Sequence, residues 1–126
     1  MSSLVPNPDA LQAFMTNPDG GPVVMLNLLK FKPDGGAEAY GRYSAAVSKM
    51  VEARGGRILY AGRAQELLVG DESWDAIALV EYPSRKALIE MTLSPEYQAI
   101  HADREAGLER TVLYATKPLD LRSIGK

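Results

Sequence analysis

The feature that most constrains the fold is a nearly continuous apolar run, Pro22–Lys32, with the sequence Pro-Val-Val-Met-Leu-Asn-Leu-Leu-Lys-Phe-Lys. The run is too short to span a membrane, and its residue types favour a β-strand. Strand alternation places apolar side chains on both of its faces, so both faces of the sheet need cover. We expect helices of the same chain to cover one face and a second copy of the chain to cover the other.

Composition excludes several classes of protein. The chain has 126 residues, which favours a single domain over residues 1–126, and its net charge of −2 gives no basic surface for nucleic acid. It has no cysteine and one histidine, His101, so we expect no disulfide, no thiol nucleophile and no metal site. The charged and apolar residues form neither the pattern of a signal peptide nor that of a membrane-spanning segment. We therefore expect a cytoplasmic protein without a membrane partner.

Paired glycines occur at three places, Gly20-Gly21, Gly35-Gly36 and Gly55-Gly56. None has the spacing and the following lysine of a phosphate-binding loop, so they indicate turns. We therefore expect no nucleotide, flavin or other cofactor.

Local signals predict four helices. Asn7-Pro8-Asp9 has the capping residue, the proline and the acidic residue of a helix start. Apolar residues at helical spacing predict a long helix over about 37–54. Ser84 begins a helix to about residue 91, and Ser94-Pro95-Glu96 begins another to about residue 108.

Strands fill the remaining intervals. After the apolar run we predict strands over about 57–69, 74–82 and 111–116, with a hairpin turn at Gly70–Ser73. From residue 22 to 118 the order is then β-α-β-β-α-β. That order predicts a ferredoxin-like α+β fold, a four-stranded antiparallel sheet with two helices on one face. Residues 1–21 form an extra N-terminal helical arm, and residues 119–126 form a polar tail.

Several short motifs in this order resemble one family. They are Val24–Phe31, Gly55-Gly56, Gly62-Arg63, Tyr82-Pro83-Ser84, and Ser94–Tyr97 followed by Arg104. Together these residues resemble the domain-of-unknown-function family 1330, within the dimeric α+β barrel superfamily, over about residues 22–118. The N-terminal arm lies outside the typical pattern.

The resemblance implies a homodimer whose two sheets close into a barrel, with a pocket in each subunit between sheet and helices. Characterised branches of the superfamily include cofactor-independent monooxygenases, isomerases of small ring compounds, haem-degrading enzymes and haem peroxidases. Haem-degrading relatives use an asparagine, a tryptophan and a histidine. Asn27, Trp74 and His101 lie on the corresponding kinds of element, but their local spacing does not match, which disfavours haem chemistry.

Two polar residues stand out on predicted strands. Asn27 lies in the middle of an apolar strand face, where an amide needs a hydrogen-bond partner. It either orients a ligand or is satisfied by neighbouring backbone or by a dimer contact. Asp75 either pairs with Arg63 or Arg104, or lies exposed to water at an edge.

His101 and Arg104 share one stripe of the last predicted helix, a stripe that we expect to face the sheet. His101 would be a general acid or base near neutral pH, and Arg104 would anchor a carboxylate, phenolate or enolate. In the alternative interpretation both are structural, with His101 half-exposed and Arg104 paired with a carboxylate. The helix has a second candidate face, formed by Ala99, Ala102 and Ala106. If that face packs on the sheet, His101 and Arg104 lie at the rim of the pocket.

Tyr43, Tyr60 and Trp74 are the candidate substrate-binding residues, because aromatic side chains with polar tips line pockets for ring compounds. Aromatic residues at this spacing also serve as core or interface residues, and that alternative stays open.

These residues predict a small dimeric protein that binds a small aromatic or carbonyl compound. As an enzyme it would be a cofactor-independent monooxygenase or isomerase. His101 would be the base, Asn27 and Arg104 would stabilise an oxyanion, and Tyr43 and Tyr60 would position the ring. The alternative is a non-catalytic ligand-binding or interaction module, for which His101 and Arg104 are dispensable. RNA-recognition modules share the element order, but the strands here lack exposed aromatics within a basic surface, so we expect no nucleic-acid partner.

Overall fold

The computed structural model describes residues 4–126 and confirms the ferredoxin-like α+β architecture, with the additional N-terminal helix. The first three residues of the predicted arm, 1–3, lie outside the described part of the chain. In chain order the elements are α1 Pro8–Thr16, β1 Val23–Phe31, α2 Gly36–Ala53, β2 Arg57–Arg63, β3 Ala76–Tyr82, α3 Arg85–Leu93, α4 Pro95–Gly107, β4 Leu108–Thr116 and a 3₁₀ turn Leu121–Ser123.

Side-chain caps begin three of the helices where the sequence predicted them. Asn7 Oδ1 accepts hydrogen bonds from the backbone N–H groups of Asp9 and Ala10, at 2.9 and 3.1 Å. Ser84 and Ser94 cap α3 and α4 in the same way through their hydroxyl groups. Because these bonds involve residues two or three apart, short motifs are enough to locate the helix starts.

The sheet has the strand order β2-β3-β1-β4, and all three pairings are antiparallel. Its interior strand β1 directs Val23 and Met25 into the core, where the helices cover them. The buried core cluster consists of Val23, Met25, Tyr43, Val51, Tyr82, Met91 and Tyr97. Alternation directs Leu26 and Leu28 to the opposite face of the sheet, where both stay partly exposed.

Three strand boundaries differ from the predicted ones. Strand β2 ends at Arg63 and not near residue 69, because its pairing with β3 stops there and a final bond joins Ala64 N–H to the Asp75 carbonyl. The apolar residues that extended the predicted strand, Leu67, Leu68 and Val69, are exposed. Strand β3 correspondingly begins at Ala76 and not at Trp74.

Strand β4 begins at Leu108 and not at Thr111, directly after helix α4. Glycine makes this junction possible. A Cβ on Gly107 would lie 2.8 Å from both the Gly36 carbonyl oxygen and the Tyr40 backbone nitrogen. The junction of α4 and β4 therefore packs backbone against backbone on the start of α2.

No helix within residues 4–126 combines the length and the apolar content needed to cross a lipid bilayer.

Candidate functional site

A cavity of about 1430 Å³ lies between the helix-covered face of the sheet and the helices. Its walls include the helix-facing residues Met25, Asn27 and Leu29 of β1, together with side chains of α2 and α4. Helix α1 and the residues before it contribute one side, through Leu4 and Phe14 among others. The cavity exceeds the roughly 300–1,000 Å³ of ordinary ligand pockets, so a small ring compound fits with room for water.

Four tyrosines form a polar patch on the wall of this cavity: Tyr40, Tyr43, Tyr82 and Tyr97. The hydroxyl oxygens of Tyr43 and Tyr97 are 2.9 Å apart, and their rings meet edge to face at 6.0 Å. Burial raises the pKa of Tyr40 to about 12, against the opposing effect of the Arg104 charge. Burial also raises the pKa of Tyr43 and of Tyr82. These three hydroxyl groups therefore stay protonated and act as hydrogen-bonding groups, not as bases.

Arg104 lines the same cavity from helix α4. Its Nη1 donates a hydrogen bond of 2.9 Å to the backbone carbonyl oxygen of Leu4, one hundred residues earlier. The structural alternative predicted a carboxylate partner, but no ion pair within residues 4–126 includes Arg104. Its guanidinium is thus a partly buried cation held by a neutral oxygen.

His101 also lines the cavity, and its side chain is 33% exposed. Its Nδ1 lies 3.2 Å from Glu105 Oε1, one helical turn further along α4. The stripe of α4 that carries His101 and Arg104 therefore faces inward, whereas the alternative face is exposed: Ala99, Ala102 and Ala106. His101 is thus a cavity-wall imidazole with a carboxylate one helical turn away.

Asn27 lies on the sheet side of the cavity. Its Nδ2 donates to the Met25 carbonyl oxygen of its own strand at 3.2 Å. This bond is the backbone contact that the structural interpretation predicted, and it uses one of the two amide protons. The remaining amide proton and the Oδ1 oxygen can still bind a ligand.

The three predicted aromatic residues are not brought together. Tyr43 is buried on the cavity wall, but Tyr60 and Trp74 are not among the lining residues. Tyr60 is 57% exposed, on the face of the sheet opposite the helices, and its ring lies over the Cα of Gly62. Trp74 stacks beneath the Arg110 guanidinium at 4.5 Å. A substrate-binding role for Tyr60 and Trp74 stays a prediction.

Of the two alternatives for Asp75, pairing with Arg63 or Arg104 does not occur among the described residues, and its side chain is 38% exposed. Asp75 Oδ2 accepts a hydrogen bond of 2.8 Å from Phe31 N–H, and Oδ1 lies 3.5 Å from Lys30 Nζ. The side chain of Asp75 thus serves as an acceptor for the backbone at the end of β1, where the register of β1 and β4 shifts.

The sequence interpretation preferred Tyr43 and Tyr60 among the aromatic residues, and it did not bring Tyr40, Tyr82 and Tyr97 together with Tyr43. One signal was present: Tyr40 and Tyr43 are three residues apart on α2, so they share a face. The described part of the chain has no group of three Asp, Glu or His side chains placed to hold a metal ion.

The chain matches one family model and several solved structures. The model of the family described as domain of unknown function DUF1330 matches residues 35–117. The chain is also similar to a protein of unknown function from Rhodopseudomonas palustris, solved by crystallography. The two are 33% identical with a TM-score of 0.87, and the match covers 95% of this chain and 99% of that one. No curated protein matches the chain.

More distant solved structures share the fold alone. A dimeric ferredoxin-like protein of unknown function from Jannaschia sp. is 13% identical with a TM-score of 0.63, covering 78% of this chain and 100% of that one. A DABB-family protein with a ferredoxin-like fold from Mesorhizobium loti is 16% identical with a TM-score of 0.57, covering 79% of this chain and 99% of that one.

Proposed function

The chain belongs to the DUF1330 family, and we propose that it binds a small aromatic or carbonyl compound in the cavity between its sheet and its helices. The observation that carries the proposal is the cavity of about 1430 Å³, whose largely apolar wall includes Asn27, His101 and Arg104. An apolar cavity with a few converging polar groups is the usual form of a small-molecule site.

A thermal-shift screen with phenols, quinones, small keto acids and aldehydes tests this proposal. A ligand at a hundredfold over its Kd stabilises the folded state by about 2.7 kcal/mol, which is readily measured as a rise in Tm. The variant Ala78→Phe fills the cavity from strand β3, whereas Ala99→Phe adds the same ring on the exposed side of α4. We expect a ligand to raise the Tm of the wild type and of Ala99→Phe, but not that of Ala78→Phe. An equal rise in all three, or no rise with any compound, would contradict the proposal.

We also propose that the chain is a homodimer through the face of the sheet opposite the helices. That face carries aliphatic side chains that stay partly exposed: Leu26, Leu28, Ile77, Leu79 and Val112. The chain exposes 8532 Å², whereas a folded monomer of this mass exposes about 6,600 Å². The excess, roughly 1,900 Å², is larger than the roughly 800 Å² that each partner buries in a standard interface. A second copy seated on this face would bury about 800 Å² of this surface and cover its aliphatic side chains.

Sedimentation or light scattering tests the dimer with two matched glutamate variants. Tyr60→Glu places a charge on the proposed interface at a side chain that is already 57% exposed, so the monomer fold tolerates it. Leu121→Glu places the same charge on the C-terminal tail, at a side chain that is 77% exposed. We expect twice the chain mass for the wild type and Leu121→Glu, and the chain mass for Tyr60→Glu. A monomeric wild type refutes the dimer, and a dimeric Tyr60→Glu refutes the interface.

A second candidate function, proton transfer, is favoured by the pairing of His101 with Glu105. His101 Nδ1 lies 3.2 Å from Glu105 Oε1, and when the imidazole is neutral with its proton on Nδ1 the lone pair is on Nε2. That lone pair can remove a proton from a carbon next to a carbonyl group, and the C–H electrons then move onto the carbonyl oxygen as an enolate. Arg104 and Asn27 are the groups available to stabilise this oxygen. Return of the proton from His101 to carbon completes an isomerisation, which needs no oxidant, so we prefer it to monooxygenation.

Proton exchange in D₂O tests this second candidate without knowledge of the natural substrate. The loss of the α-protons of 1-indanone, followed by NMR, is expected to be faster with the wild type than in buffer. His101→Gln is expected to abolish the acceleration, and Glu105→Gln to reduce it. If the wild type gives no acceleration although the ketone binds, the protein is a binding module for that compound class.

A further inference from the structure

We infer that the ligand of the proposed site carries a negative charge, as an apolar carboxylate, and that Arg104 binds its carboxylate group. This inference rests on the proposed function and names the class of its ligand. Its starting point is the charge of the cavity wall. Three arginines line the wall, Arg63, Arg85 and Arg104, against a single carboxylate, Asp75.

That carboxylate does not neutralise the arginines. Asp75 is engaged with Lys30 and with the backbone at the end of β1. Within residues 4–126 no ion pair includes Arg63, Arg85 or Arg104. The chain as a whole has a net charge of −2, so the positive charge of the wall is local and opposite in sign to the whole protein. A concave site lined by one sign of charge concentrates ligands of the other sign.

Arg104 is the cation best placed for a specific bond. Arg85 stacks over the Phe14 ring at 4.7 Å, and its charge also acts on the Asp19 carboxylate, which is paired with Lys117. Arg104 is partly buried, and its Nη1 donates to the Leu4 carbonyl oxygen at 2.9 Å. That oxygen stands where an oxygen of a bound ligand would accept the same bond. Hydrogen bonds from a guanidinium to a carboxylate are stronger than those to a neutral carbonyl group, so a carboxylate binds Arg104 better than the Leu4 oxygen does.

The hydroxyl groups beside Arg104 suit the same ligand. The Arg104 charge acts on both Tyr40 and Tyr43, which places the cation close to the buried tyrosines. Protonated phenols donate hydrogen bonds to a carboxylate, and their rings, with the aliphatic wall, offer an apolar surface to the rest of the ligand. A compound with one carboxylate on a ring or a short chain matches both parts of the wall.

Binding of 2-naphthoate and 2-naphthamide, measured by isothermal titration calorimetry, tests the inference. The two compounds have the same shape and differ in charge. We expect the wild type to bind naphthoate about tenfold or more tightly than naphthamide. Arg104→Met is expected to bring the ratio of the two Kd values near one, whereas Arg122→Met, at a side chain that is 90% exposed on the tail, is expected to leave it unchanged.

A second measurement needs no variant. Phenylglyoxal modifies arginine side chains, and mass spectrometry locates the modified residues. We expect naphthoate to protect Arg104 in the wild type, while naphthamide protects it less and Arg122 is modified equally in both cases. Equal Kd values for the two compounds, or protection that does not depend on charge, would overturn the anionic ligand and leave the cavity proposal standing. Failure of both compounds to bind, while a neutral compound of the thermal-shift panel binds, would likewise overturn the anionic ligand; failure of both compounds and of the whole panel would overturn the cavity proposal itself.

Discussion

Raising the pH from about 8 to about 11 is expected to destabilise this fold through its buried tyrosines. Burial raises the pKa of Tyr40 to about 12 and also raises that of Tyr43 and of Tyr82. In the unfolded chain a tyrosine has its ordinary pKa near 10. A group whose pKa is higher in the folded state contributes stability below the unfolded pKa, and this contribution is lost as the pH rises towards the folded pKa.

The size of the effect follows from the two pKa values. At about pH 11 a tyrosine in the unfolded chain is roughly ten-elevenths ionised, whereas these three tyrosines are largely protonated in the folded state. Each of them therefore lowers the free energy of unfolding by ~1.4 kcal/mol. The three together lower the free energy of unfolding by about 4 kcal/mol relative to pH 8. That loss is a large part of the 5–15 kcal/mol typical of a small domain, so unfolding should come within reach of mild denaturant.

Urea unfolding followed by circular dichroism at a series of pH values measures this loss. Tyr40→Phe removes one of the three hydroxyl groups and should reduce the fall in stability by ~1.4 kcal/mol. Gly41→Ala, at a neighbouring position of α2 where a Cβ meets nothing within 4 Å, is the control, because it removes no hydroxyl group and should lose stability as steeply as the wild type. The reasoning is refuted if the free energy of unfolding stays constant up to pH 11, or if Tyr40→Phe falls as steeply as the wild type.

Three further changes test the packing around the site. Met91→Ala, at a core side chain that is 1% exposed, should lower the free energy of unfolding in urea by about 2–5 kcal/mol, and a loss below about 1 kcal/mol would contradict tight packing there. Gly107→Ala should lower the free energy of unfolding by about 1–3 kcal/mol, and with it the Tm, because the new Cβ would meet backbone at 2.8 Å. The control Gly41→Ala, whose Cβ meets nothing within 4 Å on α2, should leave the Tm equal or higher. A larger loss for Gly41→Ala than for Gly107→Ala would refute the contact. Asp75→Ala should cost about 1–3 kcal/mol in urea by leaving Phe31 N–H without its acceptor, and a neutral result would mean that water replaces the carboxylate.

Predictions from the sequence succeeded where the signal is local. The apolar alternation of β1 identified the two faces of the sheet, and caps such as Asn7 and Ser94 located helix starts, because both depend on residues close in the chain. The element order then limited the fold to the ferredoxin-like arrangement.

Predictions failed where a distant partner decides the outcome. The apolar residues after Arg63 have the composition of a strand, but strand β3 offers no ladder beyond Ala76, and pairing is what defines a strand. Likewise Leu108 fitted the apolar stripe of a helix, yet its backbone pairs with Phe31.

For the site, too, local signals could be read from the sequence and contacts between distant residues could not. The helical stripe that carries His101 and Arg104 could be read from spacing, but spacing left the alanine face as an alternative, and only the packed structure shows which of the two faces inward. The contact of Arg104 with the Leu4 carbonyl oxygen could not be predicted, since it joins a side chain to a backbone atom one hundred residues away. The hydroxyl pair of Tyr43 and Tyr97 likewise requires α2 and α4 to pack side by side, which no short motif encodes.

Helix α1 has no fully buried residue, although its residues line one side of the cavity. A segment with so little packing detaches at a small fraction of the cost of global unfolding. Amide hydrogen exchange should therefore be fast over Pro8–Thr16 and slow over β1. If the proposed ligand binds in the cavity, its release rate is expected to follow how often this helix detaches, so substitutions on α1 should change the residence time and leave Asn27 and Arg104 in place.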